Sequence, residues 1–279
     1  MKLQLLLIAA TSAFCQSYGT YSNPANGAPV ARTSFLKSQL TSGNALRDPS
    51  LLLYWPLTAT GGDMVSNSTD LSFLDYSGNG ITGTYGGGQS NGWYPGKISN
   101  YAPYFNEARG NYVQAAVTIP AGPFTVSAWA KPATGYTGGY VRIAEVVFSS
   151  SFYLGTDSTM GYWQLIINDS SLTHACKGSS SAGGAVNAGT WQLVTGVWDG
   201  TYGYLYVNGS LVIGGSAAGS ACQFTAPASI THALRVGCGS NGAGCSGNSA
   251  FNGAIQDFRI YTRALSAAEV LAIYSAENH

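Results

Sequence analysis

From Leu51 onward, short apolar runs recur along the chain at intervals of about 8–15 residues, separated by clusters of Gly, Asn, Ser and Pro. Many runs alternate apolar and polar residues, which is the period of a strand with one buried face. This spacing is typical of an all-β sandwich. The clearest predicted strands cover residues 51–57, 101–105, 124–131, 140–148, 162–168, 191–198, 202–207, 211–214, 234–237 and 254–261.

Two local signals add a hairpin and a helix to this pattern. Asn208 and Gly209 stand between two alternating runs, and both residues tolerate the positive φ of a type I′ turn. Near the C-terminus, Ser266 and Glu269 have the reciprocal spacing of a capping box, which predicts one short helix. The apolar face of this helix consists of Val270, Leu271, Ile273 and Tyr274.

The first residues have the composition of a secretory leader. A basic residue precedes an apolar block at residues 3–10, and small residues follow, which predicts a signal peptide over residues 1–17. Cys15 raises the alternative of a lipid-modified cysteine, but Phe14 stands where such a signal requires a small residue. We therefore expect a secreted, extracellular protein.

Two further segments follow the leader. Residues 18–49 are polar and small, and we interpret them as an N-terminal arm that either is flexible or packs on a neighbouring copy of the chain. The strand pattern then assigns residues 50–279 to one domain. No later stretch approaches the roughly 20 apolar residues of a transmembrane helix, so we expect no membrane span.

Four cysteines remain after the leader, an even number that favours disulfides in an oxidising compartment. Three pairings are possible in principle. Cys238 and Cys245 bracket a glycine-rich loop that is too flexible to hold itself, which leaves Cys176 with Cys222. A zinc site is the alternative, but the two-residue spacing of a zinc knuckle is absent and only His174 lies nearby.

The low charge of the chain restricts its partners. Only 9% of the residues are charged and the formal net charge is zero. Phosphate binding needs an excess of Lys and Arg, so nucleic acid is disfavoured as a ligand.

Several segments, in a fixed order along the chain, resemble those of a known family. They are residues 54–57 (Tyr-Trp-Pro-Leu), 75–80 (Asp-Tyr-Ser-Gly-Asn-Gly), Phe124–Pro132, 191–194, 198–201, 205–209, 251–261, 263–266 and 269–270. The ordered set resembles the laminin G-like jelly-roll domains related to concanavalin A and the pentraxins. This resemblance implies an antiparallel jelly-roll sandwich of two sheets with one short C-terminal helix.

The resemblance also implies an extracellular setting, ligands that range from sugars to proteins, and often a calcium ion. Many such domains carry this ion at the position of Asp257 in the closing strand. Calcium requires six to eight oxygen ligands, and Asp75 and Asn79 are our candidates for helping Asp257 to bind it. The alternative is that Asp75 only caps its own turn through backbone amides.

The faces of the closing strand bear on this calcium site. Strict alternation places Ile255, Asp257 and Arg259 on one face and Gln256 and Phe258 on the other. An unpaired Asp inside such an apolar strand would be costly to bury. Besides a calcium ion, an ion pair between Asp257 and Arg259 would satisfy the carboxylate.

Aromatic and polar side chains suggest carbohydrate binding, because sugars need platforms for their faces and polar groups for their hydroxyls. Our candidate ligand-binding residues are Tyr136, Tyr140, Tyr153 and Glu145. Aromatic side chains also fill the core of a β-sandwich, so a structural role is the alternative for each tyrosine.

Enzymatic activity is not expected from the pattern of acidic residues. Glycoside hydrolysis usually needs two carboxyl groups about 5–9.5 Å apart, which a strand supplies most simply at positions i and i+2. None of the 12 acidic residues has an acidic partner at that spacing. Glu145 remains a lone candidate acid, a sugar acceptor or a structural carboxylate.

These observations rank three functions. The first is a secreted lectin-like module that binds glycan or an extracellular protein. The second is a structural or adhesive subunit of a matrix, surface layer or filament, because the chain is poor in charge, rich in Gly and Tyr, and has an arm for self-association. The third is a polysaccharide-active enzyme.

Overall fold

The protein is described by a computed structural model. The structure describes residues 48–57, 72–88, 93–98, 101–135, 139–146, 152–167, 176–178, 181–215, 222–223, 230–239, 245 and 249–278. The predicted signal peptide and nearly all of the predicted N-terminal arm lie outside these residues.

Within these residues, two antiparallel sheets of eight strands each form a jelly-roll sandwich, as predicted. The first sheet contains β1 (Leu51–Trp55), β4 (Trp93–Pro95), β5 (Tyr101–Phe105), β7 (Phe124–Pro132), β12 (Gln192–Trp198), β13 (Gly203–Val207), β14 (Ser210–Gly214) and β16 (Gly253–Tyr261). The second contains β2 (Ser72–Phe73), β3 (Gly83–Gly86), β6 (Tyr112–Ile119), β8 (Arg142–Val146), β9 (Phe152–Thr156), β10 (Trp163–Ile167), β11 (Cys176–Lys177) and β15 (Ile230–Val236).

The strand order determines which side chains become neighbours. The first sheet runs β14-β13-β12-β7-β16-β5-β4, and β1 also pairs with β16. The second sheet runs β11-β10-β9-β8-β15-β6-β3-β2. Strands β8, β9 and β10 are consecutive antiparallel neighbours, so the start of β8, the end of β9 and the start of β10 lie at the same end of the second sheet.

The main core lies between the sheets and is built from the inward-facing residues of both. Trp55 and Phe258 from the first sheet and Trp163 and Leu165 from the second are all fully buried there. Each buried aromatic side chain removes about 150–250 Å² from water, so these residues dominate the hydrophobic stabilisation.

Among the described residues, one α-helix, α1 (Ala267–Glu277), packs on the outer face of the first sheet, and a short 3-10 helix covers Glu107–Arg109. Its capping box is formed as predicted, because the Ser266 side chain accepts from the Glu269 N–H while the Glu269 carboxylate accepts from the Ser266 N–H. Val270 and Ile273 are buried, whereas Leu271, predicted on the apolar face, is 49% exposed.

The capping residue Glu269 should make stability depend on pH. Hydrogen bonds from Arg263 and then from Ser266, against the opposing effect of burial, lower the pKa of Glu269 from 4.5 to about 2. A carboxylate whose pKa is lowered in the folded state stabilises the fold at pH values above its ordinary pKa of 4.5. This stabilisation is lost as the pH falls through about 2. Glu269→Gln retains the capping spacing without the charge.

We therefore expect the wild type to have the higher thermal midpoint near neutral pH and this advantage over Glu269→Gln to disappear in strong acid. Melting both proteins across the pH range tests this expectation. A difference that does not change with pH would contradict it.

The faces of β16 differ from the prediction of strict alternation. Ile255 and Phe258 both point into the core between the sheets, whereas Gln256 and Arg259 lie on the outer side with α1. The prediction was wrong because the pairing of β16 with β7 shifts by one residue between Gln256 and Arg259. Asp257 lies within this bulge and has a φ of 59°. Such a bulge inserts one residue and reverses the alternation beyond it.

Both predicted disulfides are present. Cys176 is bonded to Cys222 with a Cα–Cα distance of 4.9 Å, and Cys238 is bonded to Cys245 with a Cα–Cα distance of 5.4 Å. The first bond closes a separation of 46 residues and the second a separation of seven. Within the described part of the chain, no helix has the length and apolar character required to cross a membrane.

Candidate functional site

Three of the four residues predicted to bind ligand lie around one guanidinium group. Arg142 donates from Nε to Glu145 Oε2 at 2.5 Å, and its guanidinium carbon lies 3.9 Å from the ring centre of Tyr153 and 5.9 Å from that of Tyr140. The fourth predicted residue, Tyr136, lies outside the described residues. We call Tyr140, Arg142, Glu145 and Tyr153 the Arg142 cluster.

The pairing of β8 with β9 brings this cluster together. Glu145 stands directly opposite Tyr153, and Arg142 stands opposite Gly155. The register shifts between Arg142 and Ala144. Residues three apart on a regular strand face opposite sides, so this irregularity is what allows Arg142 to reach Glu145.

Most of the cluster is buried. Glu145 is 1% exposed, and Arg142 and Tyr153 are each 5% exposed. Burial raises the pKa of Tyr153, whose hydroxyl donates to Thr156 O at 3.0 Å. A buried charge needs a partner, and Arg142 and Glu145 satisfy each other. These three side chains therefore form a rigid support rather than an accessible surface.

Tyr140 is the accessible member of the cluster, with 47% of its surface exposed. Its N–H donates to Asp157 O at 3.1 Å, and its carbonyl accepts a hydrogen bond from Arg142 Nη1. The residue has a φ of 53°. A bulky side chain rarely adopts this left-handed conformation, and such residues concentrate at ligand sites. The backbone thus holds an exposed ring in one position.

Asp157, whose carbonyl accepts from the Tyr140 N–H, carries a cation at the same end of the second sheet. Lys177 Nζ is 2.6 Å from Asp157 Oδ2 and 5.3 Å from the ring centre of Tyr162. Burial alone would raise the pKa of Asp157, but hydrogen bonds from Lys177, Tyr162 and Thr159 lower it on balance. The Lys177 side chain remains 46% exposed, although its ammonium is paired with Asp157.

The opposite side of the Arg142 cluster is bounded by the start of the Cys238 loop. A Cβ atom added to Gly239 would lie 3.3 Å from Glu145 Oε2, so the backbone at Gly239 packs close to the carboxylate. Arg235 donates from Nη1 to Gly239 O at 3.3 Å, and its guanidinium lies 4.7 Å from the ring centre of Tyr112.

The sequence did not identify Arg142, Lys177 or Arg235 as parts of this site. Regular alternation places Arg142 and Glu145 on opposite faces, so only the bulge explains their contact. Lys177 follows Cys176 in a two-residue strand that carries no periodic signal. The positions of all three cations therefore depend on how the strands pair, which the local sequence does not show.

A laminin G-type family model, described as the concanavalin A-like lectin/glucanases superfamily, matches residues 107–271, which is more than half of the chain. The chain belongs to this superfamily. The matched region contains the whole Arg142 cluster and Lys177, so the candidate site lies within the superfamily domain.

Solved structures share the superfamily fold at low sequence identity. Domain 4 of AbnA, a GH43 extracellular arabinanase from Geobacillus stearothermophilus in complex with arabinotriose, is 18% identical, with a TM-score of 0.56 over 81% of this chain and 98% of that one. The binding domain of Paraclostridial Mosquitocidal Protein 1 is 15% identical, with a TM-score of 0.58 over 82% of this chain and 52% of that one.

A third similar structure is the botulinum neurotoxin serotype D ligand binding domain in complex with N-acetylneuraminic acid. It is 14% identical, with a TM-score of 0.51 over 81% of this chain and 50% of that one. The chain thus spans about half the length of the two toxin domains. A comparison with curated protein sequences finds no match. At these identities the similarity shows the fold alone.

Asp257, the predicted calcium ligand, forms a buried ion pair with Arg259. Arg259 Nη2 is 2.7 Å from Asp257 Oδ2 and 2.5 Å from Glu277 Oε1, and all three side chains are buried. This ion pair is the alternative that the sequence offered for Asp257. A divalent ion on the same carboxylate would face the repulsion of the guanidinium.

Asp75 and Asn79 are also engaged within the fold. The Asp75 carboxylate accepts from the N–H groups of Tyr54, Ser77 and Ile81 and from the Ser77 hydroxyl, at 2.7–3.0 Å. These four donors match the four lone-pair directions of a carboxylate. Asn79 Nδ2 donates to backbone carbonyls of β1. Asp75 therefore caps its turn, as in the alternative interpretation.

These contacts do not fit Asp257, Asp75 and Asn79 as a shared ligand set. Among the described residues, no cluster of three or more His, Cys, Asp or Glu side chains is arranged to hold a metal. A calcium ion on this chain stays a prediction. If the ion binds, the thermal midpoint of unfolding should be higher in millimolar calcium than in excess chelator.

Proposed function

We propose that the chain is an extracellular lectin-like module that binds glycan on the exposed ring of Tyr140. The observation that carries this proposal is the fixed position of Tyr140, whose backbone is held at both its N–H and its carbonyl in a strained conformation. Asp157, whose carbonyl accepts from the Tyr140 N–H, also forms an ion pair with the half-exposed Lys177. Arg142, which is paired with the buried Glu145, holds the backbone of Tyr140 in place through its carbonyl.

This arrangement suits an amphipathic ligand. A tyrosine ring offers an apolar face for the C–H side of a sugar, and its hydroxyl is a hydrogen-bonding group for sugar hydroxyls. Ligand sites typically combine aromatic surface with a few placed polar groups. Because the backbone already holds Tyr140 in place, less conformational entropy is lost when a ligand binds.

Binding accounts for the acidic residues better than hydrolysis does. The carboxylate of Glu145 is buried against Arg142. Asp257 and Glu277 converge on Arg259, but they are 1% and 0% exposed. A hydrolase needs two carboxyl groups that reach the substrate. We therefore propose a binding module without catalytic activity.

Two disulfides support an extracellular location for this module. Such bonds form and persist in oxidising compartments. The structure contains both bonds, and the pair joining Cys176 to Cys222 is fully buried.

Removing the Tyr140 ring should weaken glycan binding without unfolding the protein. We expect Tyr140→Ala to weaken binding by roughly ten-fold or more, because about 1.4 kcal/mol of stacking energy corresponds to ten-fold in affinity. A glycan array with and without calcium identifies the ligand, and titration calorimetry measures the loss. Tyr76→Ala is a matched control, since Tyr76 is 46% exposed and lies outside the Arg142 cluster.

Two outcomes would contradict the proposal. The first is a wild type that binds no glycan in either calcium condition. The second is an equal loss of binding in Tyr140→Ala and Tyr76→Ala. Unchanged thermal midpoints in both variants establish that any loss reports the site rather than the fold.

A further inference from the structure

Two tyrosine rings stack on the outer face of the first sheet, at its β4–β5 edge. The ring centres of Tyr94 in β4 and Tyr104 in β5 are 4.5 Å apart, and the ring planes meet at 26°. Phe105 faces the core between the sheets, so its neighbour Tyr104 faces outward. Tyr94 pairs with Ala102 and is therefore the diagonal neighbour of Tyr104 on this outward face. We call Tyr94 and Tyr104 the tyrosine stack.

The tyrosine stack has the geometry that radical coupling of two phenols requires. A tyrosyl radical carries much of its unpaired electron on the ring carbons next to the hydroxyl-bearing carbon, in orbitals perpendicular to the ring plane. A carbon–carbon bond between two such radicals therefore forms through the ring faces, which the stack brings together. Tyr54 and Tyr76 are the opposite case, because their ring centres are 6.4 Å apart and their planes meet at 69°. An edge-on pair lacks this overlap of orbitals.

The surroundings of the stack favour the loss of electrons from both rings. Tyr94 is 43% exposed, so an oxidant in solution reaches its ring, whereas Tyr104 is half-buried behind it. The Tyr104 hydroxyl donates to Asn252 Oδ1 at 3.0 Å. Burial, followed by the neighbouring Tyr94, raises the pKa of Tyr104, so this ring keeps its proton until it is oxidised. The hydrogen bond then stabilises the positive charge that develops on the phenol as an electron leaves.

We propose that Tyr94 and Tyr104 form a modification site, at which a heme peroxidase with hydrogen peroxide joins them as an intramolecular dityrosine. Each phenol loses one electron and one proton, and a bond forms between one carbon beside the hydroxyl of each ring. The hydrogen atoms on those two carbons then move to the phenol oxygens. The two electrons and two protons reduce one hydrogen peroxide to two waters. Because the stack holds both radicals in contact, coupling within the chain is faster than coupling between chains.

This bond would anchor the short strand β4. Strand β4 has three residues, pairs with β5 and ends at Pro95, which cannot donate to a β-ladder. A covalent link between β4 and β5 restricts the unfolded chain in the way that a disulfide does. The stack lies on the other sheet from Tyr140, so this proposal does not depend on the function proposed for Tyr140.

Treating the full chain at high dilution with a heme peroxidase and hydrogen peroxide tests the site. We expect the monomer to gain dityrosine fluorescence and to lose the mass of two hydrogen atoms. Lys97 lies between the two tyrosines, so trypsin should release residues 48–97 joined to residues 98–109. Tyr94→Phe keeps the ring but removes the phenol. We expect this variant, like Tyr104→Phe, to lack the joined peptide.

Tyr76→Phe and Tyr101→Phe are the matched controls, because each removes a phenol as exposed as that of Tyr94 from one of the same two peptides. Both should yield the joined peptide at the wild-type level. The proposal would be refuted by a treated wild-type monomer without dityrosine, by dityrosine found only in covalent dimers, by a joined peptide that persists in Tyr94→Phe, or by its loss in either control. Thermal melting confirms that each variant is folded.

Discussion

Replacing Arg259 by methionine should lower the free energy of unfolding by about 3–5 kcal/mol. Arg259 is 1% exposed and lies within 2.7 Å of two buried carboxylates, Asp257 and Glu277. Glu277 also accepts from Trp129 Nε1 at 2.8 Å, so this network joins α1 to the first sheet. Methionine fills the space but leaves both carboxylates without their cation. Urea-induced unfolding at neutral pH measures the loss.

The loss should shrink in acid. Burial, opposed by Arg259 and reinforced by Glu277, raises the pKa of Asp257 well above 3.8. A carboxyl whose pKa is raised in the folded state gives its full stability below 3.8, and this stability is lost as the pH rises through the folded value. Removing Arg259 raises that pKa further, so the deficit of Arg259→Met should be largest near neutral pH and smallest below 3.8.

Arg263→Met provides the control, because Arg263 also contacts two carboxylates but is 37% exposed. Its partners are Asp48 and Glu269. Exposed ion pairs contribute about 0–1 kcal/mol, since water screens them. We expect a loss in this range. Equal losses for the two substitutions would contradict the explanation based on burial.

Features that depend on a few adjacent residues could be predicted from the sequence. Asn208 and Gly209 form the hairpin turn with φ values of 52° and 77°, because their side chains, or the lack of one, tolerate this conformation. Ser266 and Glu269 begin α1 as the capping box requires. Each feature depends on adjacent residues, and the fold keeps the conformation that those residues favour.

Strands with a weak local signal were missed. Strand β6 places Val113, Val117 and Ile119 in the core at a period of two, but Ala115 and Ala116 between them have low strand propensity. Strand β9 is buried along its whole length, so it lacks the polar alternation that marks a half-exposed strand. Pairing with neighbouring strands stabilises both.

The errors at the two candidate sites have a common physical cause. In β16, a register shift at Asp257 reverses which side chains face the core beyond it. In β8, a register shift brings Arg142 into contact with Glu145. A bulge depends on how a strand pairs with its partner, which the sequence of one strand does not contain. The exposed position of Tyr140 likewise depends on hydrogen bonds from Arg142 and to Asp157.

Breaking the disulfide between Cys176 and Cys222 should lower the free energy of unfolding by about 4 kcal/mol on the chain-entropy model. The bond closes a separation of 46 residues and therefore restricts the unfolded chain strongly. Both sulfurs are buried, so alanine substitution also removes core contacts. Comparing the double variant Cys176→Ala/Cys222→Ala with wild type in oxidising and reducing buffer separates the two effects.

The bond between Cys238 and Cys245 is the internal standard for this comparison. Its separation of seven residues predicts a contribution of only about 2 kcal/mol on the same model. Guanidinium-induced unfolding of Cys238→Ala/Cys245→Ala should therefore show roughly half the loss of the Cys176→Ala/Cys222→Ala variant. Equal losses, or a larger loss for the short loop, would show that loop length does not govern the stabilisation.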